Sequence, residues 1–372
     1  MNVIDLSSGQ LVEPLPVPAR KALAAAERVT AYAPAHGQAD LRAAVAEHYR
    51  QRSGQPVSTA DITIAAGGRH GLLAAVAATA AGGDVLVPQP HWSHYPKMLR
   101  LGGAEPVLVP GDPATGWLAD PGLLERARTP RTKAVIINSP VNPTGAAYDE
   151  PTMRSIRDWA ADHGVYLISD DIYWAYCANS GAVRASGHEV VVGGAAKVHA
   201  LAGLRIGWIW SLPQVTEAVR DVVAHTTGPV STLAQTAVAA VLRDAGHADA
   251  VSDRAERLAA LRERAVAAFS TVPMMRPVIP VGGIYVCLDA SALLARRQFG
   301  AADDRALCRV LEERAAVRLR AGSTFGLPGH LRLCVAVTPD VLEEAADRLA
   351  TFVGAAEMDA AETDSVRNMG VP

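Results

Sequence analysis

Apolar residues recur with helical spacing early in the chain. Leu41, Val45 and Tyr49 lie four positions apart, which would place them on one buried face of a helix, and Gly54 is a natural stop. Other runs are apolar throughout, at 62–66, 84–88, 105–110, 133–138, 165–169 and 189–193, with helical patterns at 69–80 and 150–163 between them. Such runs are typical of parallel strands covered by helices on both faces. The first two thirds of the chain therefore predict an α/β domain.

The pattern changes after about residue 265. A strand is predicted at 282–290 and a helix at 304–315, and short strands follow. Thr338 would cap a last helix that has Pro339 at its first position. Elements at this shorter spacing indicate a smaller α+β domain. The final stretch, 357–372, has little apolar surface to bury, and we expect it to be disordered.

Composition narrows the function classes. A chain of 372 residues is expected to form two domains, and its net charge of −3 without a basic block argues against nucleic-acid binding. Its cysteines are scattered, so neither a disulfide framework nor a thiolate metal site is indicated: they are Cys177, Cys287, Cys308 and Cys334. The start does not resemble a signal peptide and no apolar run reaches the length of a membrane span. We therefore expect a cytoplasmic protein that binds no membrane.

Three of the predicted strands are followed by residues that could carry chemistry. Asn142 lies in "SPVNPTG", Asp170 and Tyr173 lie in "SDDIY", and Lys197 follows the run at 189–193. Ligands of open parallel sheets bind beyond the carboxyl ends of the strands. Each residue alone has an ordinary explanation, as a turn, a cap or a solvated lysine. Together they indicate one site at an edge of the sheet.

Lys197 stands out because the chain has four lysines against 31 arginines. Arginine can replace lysine where only charge is needed, but not where a neutral amine must form a Schiff base. Arg205 follows eight positions later, in "GLRIGW". A lysine at this position is therefore a candidate covalent attachment point for a carbonyl compound.

The motifs "NPTG", "SDDIY" and Lys197 with Arg205 together resemble the pyridoxal-phosphate (PLP) enzymes of aminotransferase class I/II, fold type I, over nearly the whole chain. The resemblance implies an α/β large domain with a mixed, mostly parallel seven-stranded sheet flanked by helices, plus a smaller α+β C-terminal domain. It also implies four parts of the chain. Residues 1–30 would pack with the small domain, 31–265 would form the large PLP-binding domain, 266–356 would form the small domain and 357–372 would be a disordered tail.

The resemblance also implies a role for each motif residue that would meet the cofactor ring. Lys197 would hold PLP through a Schiff base and then move the substrate Cα proton. Asp170 would pair with the pyridine nitrogen and keep it protonated, which maintains the electron sink. Asn142 and Tyr173 would donate hydrogen bonds to the phenolate oxygen, and Trp92 would stack on the ring.

The phosphate and the substrate have implied partners as well. Backbone N–H groups of Gly68 and Arg69, at a helix N-terminus, would face the phosphate, and Arg205 would add a charge-assisted contact. Tyr32 matches the family tyrosine that reaches the phosphate of the neighbouring subunit, which implies a homodimer with shared sites. For the substrate, two residues match family positions: Arg332 would bind the α-carboxylate and Gly9 would line the pocket.

Two features depart from the family pattern. The family commonly has S-x-S-K, with both serines near the phosphate, whereas this chain has Gly194 and Ala196 at those positions. Each lost hydrogen bond to a charged group is worth about 1.5–3 kcal/mol, which leaves open how the phosphate is held; His199 is a candidate substitute. Charged or titratable residues stand where many relatives have uncharged ones, and they either shape a polar substrate pocket or lie at the surface: Arg69, His36, His91 and His94.

The resemblance implies an aminotransferase that moves the amino group of an L-amino acid to a 2-oxo acid through pyridoxamine phosphate. β-Elimination by a C–S lyase, decarboxylating oxidative deamination and cyclisation in specialised metabolism use the same scaffold, so these alternatives stay open. A non-catalytic PLP-binding regulator would carry a winged helix before the fold, and we expect none because the motifs begin within the first ten residues. A nicotinamide dehydrogenase is disfavoured because "GGRHG" is not a G-x-G-x-x-G turn.

Overall fold

The computed structural model describes residues 2–26, 29–177, 188–296 and 299–368, with side chains up to residue 355. Its helices are α1 Val17–Ala25, α2 Ala39–Ser53, α3 Gly68–Ala80, α4 Tyr95–Leu101, α5 Pro121–Ala127, α6 Glu150–Asp162, α7 Pro213–Thr226, α8 Thr232–Leu242, α9 His247–Phe269, α10 Ser291–Ala295, α11 Asp304–Ala315 and α12 Pro339–Asn368. Its strands are β1 Ile4–Asp5, β2 Ile62–Ala65, β3 Asp84–Gln89, β4 Glu105–Pro110, β5 Thr132–Asn138, β6 Tyr166–Asp170, β7 Glu189–Gly194, β8 Gly207–Trp210, β9 Arg276–Val278, β10 Tyr285–Asp289, β11 Val317–Arg318, β12 Arg320–Ala321 and β13 His330–Cys334. Short 3-10 turns lie at Thr59–Asp61, Pro113–Thr115, Trp174–Tyr176, Ala202–Leu204 and Gly322–Phe325.

The chain divides into two compact units. The sheet unit comprises Gln10–Pro140 and Ala146–Ala255, and the C-terminal unit comprises Met1–Gly9, Val141–Gly145 and Glu256–Pro372. The domain boundaries expected from the sequence stay a prediction. Within the described residues, no helix is both long and apolar enough to cross a membrane. The expected cytoplasmic location also stays a prediction.

The sheet unit contains a seven-stranded sheet in the order β2-β8-β7-β6-β5-β3-β4. β7, β6, β5, β3 and β4 pair in parallel, whereas β8 runs antiparallel to both β7 and β2. The sheet is therefore mixed and mostly parallel, as the resemblance implied. β8 was not among the strands predicted from apolar runs, because its four residues, "GWIW", begin at a glycine and are too few to stand out.

Both faces of the sheet are covered, which explains why its strands are apolar throughout. Alternate residues of β7 contribute to different core clusters: Val191 packs with Leu41 and Val45 of α2, whereas Val190 and Val192 pack with α3 and α7. The α2 face is as predicted, since Leu41 and Val45 are fully buried.

The end of α2 also follows the prediction. Tyr49, the third residue of the predicted stripe, is fully buried, and Gly54 ends the helix with a φ of 66°. This left-handed conformation costs glycine little. The helix thus stops at a fixed place against the sheet.

The C-terminal unit is built on a four-stranded antiparallel sheet in the order β12-β13-β10-β9, and β1 pairs in parallel with β11. The register sets Arg332 of β13 opposite Cys287 of β10. With α11 and α12, this sheet forms the predicted smaller α+β region. α12 begins at Pro339 as expected, and its backbone is helical to Asn368. The disorder expected for 357–372 stays a prediction.

Candidate active site

Two parallel strands of the sheet unit end at candidate residues. Asp170 is the last residue of β6, and its backbone lies opposite Val192 of β7. Lys197 follows three residues after β7 ends, and its backbone carbonyl accepts a 2.9 Å hydrogen bond from the Tyr176 hydroxyl. The Lys197 ammonium is near enough to Asp170 for its charge to favour the ionised carboxylate. The strand ends thus bring an amine and a carboxylate to one region, as the sequence predicted.

Asp170 is buried, with 7 % of its surface exposed. The Tyr95 hydroxyl donates a 2.6 Å hydrogen bond to its Oδ2, and the side-chain amide of Asn138 donates to its backbone carbonyl at 2.9 Å. Burial raises the pKa of Asp170 to about 6, even though Tyr95 and Lys197 oppose the rise. A carboxyl that is costly to ionise here is suited to a cationic partner.

Tyr95 is a site residue that the sequence analysis missed. Its ring meets the half-buried Trp92 edge to face, with 5.4 Å between centroids. Burial raises the pKa of Tyr95 well above its usual value, and the charges of Asp170 and Tyr173 add to the rise. Trp92, Tyr95, Asp170 and Tyr173 therefore form one cluster. The available signal was an aromatic residue three positions after Trp92.

The turn before α3 forms an anion cradle. Gly67 has a φ of 83°, and a Cβ there would lie 2.6 Å from Nη2 of Arg205. Gly207, at the start of β8, is equally constrained because a Cβ would overlap the backbone of Gly67 and Gly68. The glycines thus let the Arg205 guanidinium and the N-terminus of α3 approach each other. Backbone N–H groups, the helix dipole and a cation together favour a bound phosphate.

These groups fit PLP. The cradle would suit its phosphate, the buried Asp170 would suit its ring nitrogen, and Lys197 would supply the amine for its aldehyde. The missing serine at position 194 also has a physical reason, since a Cβ on Gly194 would lie only 3.2 Å from the Ile206 carbonyl oxygen. No group of His, Cys, Asp and Glu side chains among the described residues is arranged to hold a metal ion.

Arg69 lies beside this cluster. Arg69 is exposed in the first turn of α3, and its guanidinium carbon is 5.3 Å from the centroid of the Trp92 ring. Tyr32, in contrast, is 91 % exposed and is not part of the cluster. The structure therefore brings together the predicted ring and phosphate residues of the sheet unit but leaves Tyr32 outside them.

The remaining predicted residues lie in the C-terminal unit. Arg332 is 5 % exposed, and its guanidinium donates to Oδ1 of Asn142 at 3.0 Å and to the Ser7 carbonyl at 2.6 Å. It lies against the Tyr285 and Phe325 rings, at 4.0 and 4.7 Å from their centroids. These contacts hold the cation in one orientation.

Gly9 is required by the same cluster. A Cβ at this position would overlap the hydroxyl of Tyr285. Asn142 is also buried, with 3 % of its surface exposed. Gly9, Asn142 and Arg332 are thus brought together within this unit, and Tyr285 joins them without having been predicted.

The extra histidines behave differently from one another. His91 is buried and its Nδ1 lies 2.9 Å from the Trp92 carbonyl, whereas His94 is exposed. His199 is 2 % exposed and stacks on His247 at 4.9 Å, and neither ring nitrogen has a hydrogen-bond partner among the described residues. Burial lowers the pKa of His199 well below its usual value. Because His91 is buried, the surface location considered for it is wrong.

The chain is similar to known proteins in sequence and in fold. The sequence profile of the family described as aminotransferase class I and II matches residues 1–349. A probable aspartate/prephenate aminotransferase of Thermus aquaticus is 36 % identical over 339 residues, which cover 89 % of this chain and 85 % of that protein. An aspartate aminotransferase of Streptomyces avermitilis is 32 % identical, over 88 % and 82 % of the two chains. The structure of the Thermus thermophilus aspartate aminotransferase with maleate superposes with a TM-score of 0.87 at 31 % identity, covering 94 % and 91 %.

Proposed function

The chain belongs to the aminotransferase class I and II family, and on this premise we propose that its amino donor is a dicarboxylic L-amino acid such as aspartate. The family membership confirms the predicted fold, the PLP cofactor and a PLP-dependent transferase that acts on an amino acid and a 2-oxo acid. The choice of donor is supported by the names of the relatives, which are aspartate or aspartate/prephenate aminotransferases. It is also supported by one cation in this chain.

That cation is Arg69. It lies over the Trp92 ring and is paired with no carboxylate among the described residues. Trp92 is the proposed stacking partner of the cofactor, so Arg69 lies beside the proposed reaction centre. A guanidinium fork matches the planar geometry of a carboxylate. We assign to Arg69 the side-chain carboxylate of the donor.

Arg332 is proposed to bind the α-carboxylate. Its contacts with Tyr285, Phe325 and Asn142 fix the guanidinium before any substrate arrives. A fixed fork loses little conformational entropy when it binds a carboxylate. Gly9 leaves room for the Tyr285 hydroxyl in the same cluster.

When bound, PLP supplies an electron sink for the bond that breaks at the substrate Cα. Lys197 would hold the cofactor aldehyde covalently and, once released, would act as the base that carries the Cα proton. The Asp170 carboxylate would keep the proton on the ring nitrogen. Because Asp170 is buried, that charge pair is only weakly screened by water.

The other proposed contacts orient the cofactor. Asn142 and Tyr173 would donate to the phenolate oxygen of the ring. The backbone N–H groups of Gly68 and Arg69, together with the Arg205 guanidinium, would hold the phosphate. The closeness of Arg205 to the glycine turn supports this assignment.

We also propose a homodimer in which Tyr32 of one copy reaches the phosphate region of the other. Tyr32 is 91 % exposed, which is unusual for a large aromatic side chain. Beside Arg205 lies an open groove of about 550 Å³ that could receive it, and apolar residues such as Leu23, Leu204 and Val230 line the groove. Sedimentation analysis tests the dimer, and Tyr32→Ala should lower PLP affinity if the phenol reaches the phosphate.

The first experiment adds single amino acids to the PLP-loaded protein without any oxo acid. L-Aspartate should convert the absorbance of the aldehyde form of the cofactor into that of its amine form, and 2-oxoglutarate should reverse the change. Conversion at equal efficiency by L-alanine or an aromatic amino acid would contradict a dicarboxylic donor.

Arg69→Gln identifies the residue responsible. Loss of one charge-assisted contact of about 1.5–3 kcal/mol should raise KM for aspartate by about 10- to 150-fold and leave KM for alanine unchanged. Arg100→Gln is the matched control, because Arg100 is an exposed arginine that pairs with Glu105. Equal effects of Arg69→Gln on both amino acids would move the side-chain contact elsewhere.

A further inference from the structure

Asp170 is followed by a second buried carboxylate with a separate partner. Asp171 is 5 % exposed, and the Arg52 guanidinium of α2 donates to both of its oxygens, at 2.6 and 3.1 Å. This is the forked geometry in which arginine binds a carboxylate most strongly. The pair joins positions that are 119 residues apart in the chain.

Aromatic residues hold this ion pair in place. The Arg52 guanidinium carbon lies 4.1 Å from the centroid of the Trp174 ring, and the Tyr49 hydroxyl lies 3.4 Å from Oδ2 of Asp171. The indole N–H of Trp208 in turn donates to the Tyr49 hydroxyl at 3.0 Å. Gly193 permits this contact, because a Cβ there would clash with both rings. Asp171 is therefore fixed from α2 and from the sheet.

The two neighbouring carboxylates interact through their charges. Burial raises the pKa of Asp170, and the charge of Asp171 raises it further. Burial lowers the pKa of Arg52, but the attraction and hydrogen bonds of Asp171 outweigh it and raise the value, so Arg52 stays charged. The cation thus offsets the charge that Asp171 would otherwise impose on Asp170.

Other groups also face these residues. Asp170 meets Tyr95 and Lys197, and the backbone N–H of Ile172 is hydrogen-bonded to its carboxylate. His48 and His199 lie near Arg52. Burial is the main cause that lowers the pKa of both histidines, and the charge of Arg52 lowers it further. The histidines are therefore neutral, and Arg52 is the cation that balances Asp171.

We propose that Arg52 and Asp171 form a positioning pair that holds the end of β6, in which Arg52 neutralises the charge of Asp171 so that Asp170 stays ionised for its contact with the cofactor ring nitrogen. This inference rests on the proposed role of Asp170. Arg52 and Asp171 touch neither the substrate nor the cofactor in this scheme, and act through Asp170 alone.

Two single variants change the net charge of the pair in opposite directions, and a double variant restores it to zero. We call the pH below which PLP binding weakens the acid limit. Arg52→Gln leaves the charge of Asp171 uncompensated, so the acid limit of PLP binding should move to higher pH. Asp171→Asn leaves Arg52 uncompensated, so the limit should move to lower pH. The double variant Arg52→Gln/Asp171→Asn should return close to the wild type, because an uncharged pair imposes no net field.

The measurement is the pH dependence of the PLP dissociation constant, followed by tryptophan fluorescence of the cofactor-free protein, together with the pH profile of kcat/KM. A shift of about one pH unit in the acid limit corresponds to a change of about tenfold in affinity below it. Arg50→Gln on the same helix is the control, because Arg50 is exposed and pairs with Glu47. It should leave the acid limit in place.

A purely structural role gives a different result. In that case all variants lower the melting temperature and weaken PLP binding equally at every pH, which would overturn the proposal. Arg52→Lys keeps the positive charge but loses the two-point hydrogen bonding to Asp171. Its acid limit should therefore equal that of the wild type, while its melting temperature falls. If Arg52→Gln does not fold, Asp171→Asn must still have a lower acid limit than the double variant; equal limits would overturn the proposal.

Asp170→Asn separates this inference from the proposed function. If that variant keeps the wild-type pH dependence of PLP binding, the proposed role of Asp170 is wrong. If Asp170→Asn removes the acid limit but neither charge change at Arg52 or Asp171 shifts it, the role of Asp170 stands and the positioning pair is refuted.

Discussion

The Tyr95 hydroxyl and the Asp170 carboxylate form a 2.6 Å hydrogen bond between residues that are 75 positions apart in the chain. Burial raises the pKa of Asp170, and this bond opposes the rise. The bond also fixes the direction of Oδ2, since α4 and β6 are both packed in the core of the sheet unit. Tyr95 therefore influences both the charge and the orientation of the proposed ring-nitrogen partner.

Tyr95→Phe should weaken PLP binding without unfolding the protein. Because this bond favours the ionised carboxylate, its loss should lower the affinity for PLP at pH 7 by about tenfold. The pKa of Asp170 should also rise, which moves the acid limit of binding to higher pH. Fluorescence titration of the cofactor-free protein measures both effects. Tyr148→Phe, which removes another buried hydroxyl, should leave the affinity unchanged.

Asp170→Asn should stabilise the cofactor-free protein. The folded-state pKa of Asp170 is about 6 against its usual 3.8, so the folded state binds this proton more tightly than the unfolded state. Its contribution to the free energy of unfolding therefore falls as the pH rises from about 4 to 6 and stays unfavourable above. Removing the charge should raise the free energy of unfolding by about 1–3 kcal/mol at pH 8 and should leave it unchanged at pH 3.5. Urea unfolding at the two pH values measures this, and an equal effect at both would contradict it.

Lys197→Ala should abolish covalent cofactor binding. Borohydride reduction followed by mass spectrometry should find PLP attached to the wild type and not to the variant. Turnover should fall by on the order of 10²–10⁴-fold or more, because the variant loses both the attachment point and the base. Lys133→Ala is the control, since Lys133 only donates to the Ala81 carbonyl, and full activity of Lys197→Ala would refute the assignment.

Gly67→Ala should damage the phosphate cradle. Its φ of 83° and ψ of 164° form a conformation that residues other than glycine rarely adopt, and its Cβ would lie 2.6 Å from Arg205. Gly82→Ala is a matched control, because Gly82 has a φ of 73° but open space around its Cβ position. Both variants should lose stability, whereas only Gly67→Ala should lose affinity for PLP and for inorganic phosphate. Equal affinities in the two variants would place the phosphate elsewhere.

Local patterns predicted much of the fold. The stripe of Leu41, Val45 and Tyr49 identified α2 because a helix repeats its faces every 3.6 residues. The continuous apolar runs identified the parallel strands because both faces of the sheet are covered. β8 was not predicted, because four residues that start at Gly207 are too few to show a periodic pattern.

The site was predictable only where its residues belong to local motifs. Asp170 and Tyr173 lie in one motif, and Lys197 stands out in a chain poor in lysine. Tyr95 and Arg52 were missed because their partners are far away in the chain, and nothing in their local sequence specifies those partners. The roles assigned to the motif residues stay predictions until the variants above are measured.

The end of β6 places consecutive carboxylates against different layers. Asp170 contacts Tyr95 of α4, whereas Asp171 contacts Arg52 of α2. Side chains alternate along a strand, so losing one residue within β6 would exchange the environments of the two carboxylates. Point substitutions in this strand can thus be tolerated where a change of length cannot. We expect insertions and deletions during divergence to be confined to the connections around β6, with the spacing between Ile168 and Asp171 held constant.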